Sequence, residues 1–198
     1  GTYLIGTDLS SGRYYTDPGA WCYWKRTNGR TDVFNIIAND LWAGDVNQAI
    51  VDISPSDLYF ETDADCGTWF DTPRHEGTST EIAPGQWLIG SQVTSGTYMS
   101  IQLSTGCYWE RLSGFGASVL DDVLANDYIG EDELGLKMVT ILASDVGFKT
   151  DDDCGTWTKV SPVESLPRSQ PKDPSAVERE RQLQREQHLD IWLAHEQR

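Results

Sequence analysis

Two short stretches carry residue types that could do chemistry. Thr62 to Phe70 reads TDADCGTWF, and Thr150 to Thr158 reads TDDDCGTWT. Alternating carboxylates could hold calcium, which takes roughly six to eight oxygen ligands. A cysteine offers a reactive thiolate, a zinc ligand or a crosslink. An exposed tryptophan offers a platform on which a sugar ring can stack. The surrounding sequence has to choose among these.

The four cysteines occupy equivalent places, Cys22 with Cys66 and Cys107 with Cys154. A four-thiolate zinc site draws on close pairs of the C-x2-C kind, and the chain has none. Buried free thiols are the plain alternative. Small β units have thin cores, and one crosslink adds roughly 2–4 kcal/mol to each. The expectation is therefore two intradomain disulfides, Cys22–Cys66 and Cys107–Cys154, in an oxidising, extracytoplasmic setting.

The acids read first as a solvated loop beside each disulfide. Asp63, Asp65, Asp151 and Asp153 are candidates for a weak calcium site, although the ligand series of an EF-hand is absent. Trp69 and Trp157, each three residues after its cysteine, read as packing partners of the disulfides. Trp21, Trp42 and Trp87 are less constrained by sequence repetition and are the candidates for a surface contact. No cofactor is implied.

Enzyme constellations are poorly represented. His75, His188 and His195 all lie in connecting or terminal segments, so a Ser-His-Asp or Cys-His arrangement would borrow a residue from a flexible element. No phosphate-binding loop or H-E-x-x-H sequence is present. Acids are plentiful, but nothing singles out a pair for glycoside hydrolysis. The expectation is a protein that is not an enzyme.

The elements that position these residues come from a duplication. YLIGTDLSSGRYYT from Tyr3 matches WLIGSQVTSGTYMS from Trp87, and CYWKR from Cys22 matches CYWER from Cys107. IIAND matches VLAND, and SDLYFETDADCGTW from Ser56 matches SDVGFKTDDDCGTW from Ser144. Residues 1–70 and 86–160 are thus two copies of one domain, joined by a polar connector over 71–85. Each copy holds short runs rich in β-branched and aromatic residues between Gly, Asn, Asp, Ser and Pro. The fold class is all-β, as two tandem small antiparallel sandwiches or barrels. VFNIIAND and SVLDDVLAND have ambiguous periodicity and fit a helical turn or a further strand.

A Pro-rich linker over 161–174 leads to a helix over 175–198. Ser175 and Glu178 have the spacing of a capping box, and no Gly or Pro interrupts residues 176–198. Leu189, Ile191, Trp192 and Leu193 cluster near the helix end and form a candidate docking contact to another copy or another protein.

The chain is acidic, with a formal net charge of −16. The first copy holds ten acids against four bases and the second eleven against four, while the tail is nearly neutral. Such units repel phosphate backbones and anionic membrane surfaces, so nucleic acid and membrane insertion are not expected as partners. No apolar run reaches the roughly 18 residues of a membrane span. A start at Gly1 in strand-like residues fits a mature chain whose signal has been removed.

The pattern GTYLIGTDLSSGRYYT, CYWKR, IIAND and CGTW resembles a secreted domain of actinobacterial envelope proteins and lipoproteins. The second copy carries GTYMS and CYWERLSGFG intact, while the first has Arg13 in the G-T-Y position and KRTNG for ERLSG. Both copies close on C-G-x-W, where the family has G-C-x-W. The resemblance implies location and a disulfide, and it carries over no catalytic residue. Together these readings lead to the expectation of a secreted or cell-surface, non-enzymatic protein of structural assembly. It would act as a homo-oligomer or polymer, a filament or coat subunit. The alternatives are a monomeric module that binds a glycan or envelope polymer, and a virion surface component.

Overall fold

The computed structural model describes residues 1–29, 35–102, 106–116, 121–130 and 135–161. Residues 1–160 form one compact unit and residues 161–198 a second. Beyond Ser161 the second lies outside the described residues. So do the expected helix over 175–198 and its contact residues Leu189, Ile191, Trp192 and Leu193.

Among the described residues the fold is all-β. The first copy contributes β1 (Thr2–Leu4), β2 (Gly12–Thr16), β3 (Cys22–Thr27), β4 (Ile36–Trp42), β5 (Ala49–Ile53) and β6 (Tyr59–Thr62). The second adds β7 (Glu81–Ile82), β8 (Gly85–Leu88), β9 (Gly96–Gln102), β10 (Cys107–Leu112), β11 (Val123–Ile129), β12 (Gly135–Ile141), β13 (Gly147–Thr150) and β14 (Trp157–Lys159). The ambiguous IIAND and VLAND segments are strands β4 and β11.

Each copy is a two-layer antiparallel sandwich. In the first, a sheet ordered β1-β6-β3-β4 faces the pair β2-β5; in the second, β8-β13-β10-β11 faces β12-β9-β14-β7. The registers coincide. Tyr14 lies opposite Val51 as Tyr98 lies opposite Val139, and Arg26 opposite Phe60 as Arg111 lies opposite Phe148. Both copies shift register at the same place, Arg26/Thr27 and Arg111/Leu112. Inward residues alternate with outward ones, so Tyr14, Ala49, Val51 and Ile53 meet Trp24, Trp42 and Phe60 in one core.

Each disulfide ties the first residue of a strand, Cys22 in β3 and Cys107 in β10, to the turn that follows β6 or β13. Cys22–Cys66 and Cys107–Cys154 close over sequence separations of 44 and 47, and all four cysteines are buried. Beside them Trp69 donates its indole N–H to Thr62 Oγ1 at 3.1 Å, and Trp157 to Thr150 Oγ1 at 3.0 Å. Edge-on contacts with Phe60 and Phe148 complete each cluster.

The acids of the repeat motifs have structural work. Arg26 forms a bidentate pair with Asp57, with side chains only 9% and 1% exposed, and Asp57 also accepts the Ser54 amide. Arg111 and Asp145 repeat the device, with Leu142 in the place of Ser54. Burial alone would raise the Asp145 carboxyl, yet the Arg111 hydrogen bonds, the Leu142 amide and the Arg111 charge hold it below its usual range.

The connector over 71–85 is packed rather than free. Phe70 bridges to Tyr15, Arg74 lies over the Phe70 ring, and His75 meets Trp87 with ring centroids 5.2 Å apart. Its end supplies β7, whose Ile82 is buried opposite Trp157.

Candidate interaction surfaces

The TDADCGTWF motif and its repeat are closed to metal chemistry through their cysteines. Cys22, Asp63 and Cys66 lie close together, as do Cys107, Asp151 and Cys154, but each pair of sulfurs is bonded to itself and offers no thiolate. Asp63 accepts the Tyr23 amide at 3.1 Å, and Asp151 accepts the Tyr108 amide at 3.0 and 3.1 Å. Asp65 and Asp153 are exposed. The four calcium candidates therefore do two different things: one acid of each copy pins the start of the CYW strand, and the other faces water. Burial raises the Asp151 carboxyl to about 6, with the Tyr108 amide opposing and Asp153 and Asp152 adding to the rise.

The two copies meet through an interface the repeats do not share. Tyr15 and Ile50, on the outer face of the β2–β5 pair, pack with Leu112 and Phe115, flanked by Leu88, Val123 and Val146. Around this apolar contact lies a polar clasp. The Gln48 amide donates to Gln86 O at 2.8 Å and shares a reciprocal pair with Gln92 at 3.1 and 3.0 Å. Gln86 Oε1 accepts the Ile50 amide, standing in for a strand carbonyl. Gly85 has φ +133, and a Cβ there would come within 2.8 Å of Gln48 O, so this approach requires glycine. Asp52 binds Arg13 through both oxygens, and its amide and carboxylate both meet the Phe115 backbone. The side-chain amides of Gln48 and Gln92 are paired in full, Gln92 also donating to His75 O, and buried amides so satisfied make a junction specific.

Between the copies a cavity of about 200 Å³ is lined by Asp40, Glu110, Asp122, Phe115 and Lys149 among others. Lys149 donates to both oxygens of Asp40 at 2.9 and 2.8 Å and lies 4.7 Å from the Trp42 ring centroid. Desolvation would lower its amine, but Asp40, Glu110 and Asp151 outweigh this and raise it. Tyr108 donates to Glu110 at 2.6 Å, and burial with that carboxylate lifts its phenol to about 12.

The three tryptophans expected at a surface contact part company. Trp42 is buried beneath Lys149, which corrects the expectation for it: an indole opposite Cys22 in β4 faces the core. Trp87 is half-buried, with its N–H donated to Ala83 O. Trp21 is 64% exposed and has φ 69, the only positive φ among the described non-glycine residues. Its amide bonds to Trp42 O as the Gly106 amide bonds to Ile129 O, so a tryptophan stands where the second copy has glycine. A bulky side chain in left-handed backbone costs roughly 1–2 kcal/mol and marks a position worth a functional reading.

A further surface was not singled out by the sequence. On β9 and β12, Ile101 lies opposite Leu136 and Met99 opposite Met138, and all four side chains face outward. They are 63%, 60%, 38% and 57% exposed, a contiguous apolar block continued by Thr97 and Thr140. The matching register in the first copy pairs Tyr15 with Ile50, where the side chains are 5% and 0% exposed because the second copy covers them. Comparing the copies position by position, Tyr15 with Met99 and Ile50 with Met138, would have drawn attention to this face. Only the fold says that one is covered and the other, among the described residues, bare.

The family model of the Rv1352-like extracellular domain matches residues 1–70 and 78–158. No curated protein and no solved structure matches the chain.

Proposed function

The chain belongs to the Rv1352-like extracellular domain family, in two tandem copies, and from that premise we propose that this extracellular protein is a non-enzymatic assembly subunit. The observation that carries the reading is the β9–β12 face, which is bare among the described residues. Large exposed apolar patches are uncommon on soluble monomers and mark interaction sites, and this one is built from cross-strand pairs rather than scattered residues. The cavity between the copies supports the non-enzymatic part, because its charged groups are engaged: Lys149 with Asp40, and Glu110 with Tyr108. Light scattering of the full chain over a wide concentration range tests the reading. The expected result is a mass that rises with concentration, and a monomer throughout would oppose it.

A second reading, a glycan-binding module, has its own support. A hollow of about 330 Å³ is lined by Tyr3, Leu9, Thr62, Asp63 and Trp69, among others, with aromatic faces and polar groups of the kind sugars use. A glycan array distinguishes the two readings. Saccharide binding lost in Trp69→Ala and Tyr3→Ala, with the mass unchanged, favours the second.

A further inference from the structure

We infer that the bare β9–β12 face takes the first copy of another chain, docked as the second copy docks on the first within one chain, so that association runs head to tail. The inference rests on the assembly reading and adds to it the occupant and the direction of growth.

The molecule holds an internal precedent. Two domains of one fold and one register stand in the same chain. The outer face of the first domain's β2–β5 pair is covered, and what covers it is another domain of this fold. The covering surface consists of Leu88, Leu112, Phe115, Val123 and Val146. The second domain presents the corresponding outer face uncovered among the described residues. It is also more apolar, with Met99, Met138 and Leu136 at the positions of Tyr15, Ile50 and Gln48.

Three positions of the complementary surface are accessible on the first domain. Repeat alignment puts Leu4 at the position of Leu88, Ile36 at that of Val123 and Leu58 at that of Val146. Leu4 and Ile36 are half-buried, and Leu58 is 41% exposed. Thr27, at the position of Leu112, is fully buried in its own domain, and Arg30, at that of Phe115, lies outside the described residues, so the described contact between chains is smaller than the one within a chain. Flexible Met side chains on the receiving face can adjust to that altered partner. The clasp around the internal junction is also specific to it, because Thr140 and Thr97 replace Asp52 and Arg13. A contact between chains is therefore weaker than the junction inside one and depends on concentration.

A face and its complement on opposite domains make a heterologous interface, which does not close on itself as a two-fold pair does. Growth then continues through each added chain unless the rotation closes a ring.

Two single-sided variants of the full chain test this. Leu136→Glu/Met138→Glu disables the receiving face, and Leu58→Glu disables the docking surface. All three sites are exposed, and circular dichroism with a melting curve confirms that each variant folds. Each variant alone should be monomeric, or at least about tenfold weaker in association than the unaltered chain. An equimolar mixture should give one-to-one dimers and nothing larger, since each variant retains the surface the other lacks. Undiminished association of Leu58→Glu would mean symmetric face-to-face pairing, which overturns this inference and leaves the assembly reading standing. If the unaltered chain is monomeric at every concentration, both are overturned. Association gained by deleting 162–198 in that case would identify the tail as the occupant of the face.

Discussion

Lys149 of the second domain holds the Asp40 carboxylate of the first through both oxygens, at 2.9 and 2.8 Å, beside the Trp42 ring. The pair is nearly out of solvent, with side chains 16% and 12% exposed, and it links the sheet of β3 and β4 to that of β10 and β13. Removing one partner leaves the other charge without a counter-ion, a loss of about 2–4 kcal/mol when such pairs are largely buried. Asp40→Ala should therefore do more than lower stability. Calorimetry of the unaltered protein is expected to show one cooperative transition over the two domains, and the variant should broaden or split it. A single unchanged transition in the variant would place the coupling elsewhere, in the Gln48–Gln86–Gln92 clasp.

The buried Arg–Asp pairs should dominate stability within each domain. Asp57→Ala is expected to cost about 3–5 kcal/mol, because Arg26 would keep a buried charge with no carboxylate beside it. Arg111→Lys should cost less but still measurably, since a lysine cannot reproduce two parallel hydrogen bonds. Urea denaturation of both variants checks the order. A negligible loss in Arg111→Lys would mean that the fork geometry contributes little.

Stability against pH should have a maximum in the acidic range. Asp145 is held below its usual value, so its contribution is present above about pH 4 and is lost as pH falls. Asp151 works in the opposite sense. Its folded value of about 6 lies above the unfolded one near 4, so the folded state keeps the proton longer and stability falls as pH rises through that window. Asp151→Asn should flatten the decline between about pH 4 and pH 6 and raise the melting temperature at pH 7. The amide oxygen can still accept from Tyr108. Melting curves from pH 3 to pH 8 show whether the two slopes occur.

Trp21 gives a test of strain kept for a purpose. Trp21→Gly should stabilise the first domain by about 1 kcal/mol, since glycine adopts φ 69 without penalty. Loss of stability in the melting curve would mean that the partly covered indole contributes more than its backbone costs.

The duplication, the strands and the disulfide pairing could be read in the sequence because each depends on local pattern or on residues that recur. TDADCGTWF is the clearest example. Its cysteine is a staple, its tryptophan packs beside that staple, and Asp63 ties down the strand that carries Tyr23. Trp42 could not be read that way, because its burial depends on β4 pairing with β3 and on Lys149 arriving from a distant segment. The Gln48 clasp was hidden for the same reason. A glutamine reads as surface until a second domain buries it. Trp21 could be found by alignment as a tryptophan facing a glycine, but its backbone conformation could not.

Each disulfide also limits how far the chain can be drawn out. Cys22 and Cys66 are held 4.5 Å apart at the Cα atoms across a sequence separation of 44, and the second pair 4.4 Å apart across 47. An unfolded stretch that long would extend on the order of 150 Å under tension. The bond withholds nearly all of it. In an extracellular protein pulled by its ends, either domain could lose its sheets and still lengthen only by the segments outside its loop. The crosslink therefore sets the reach of the molecule as well as its melting point.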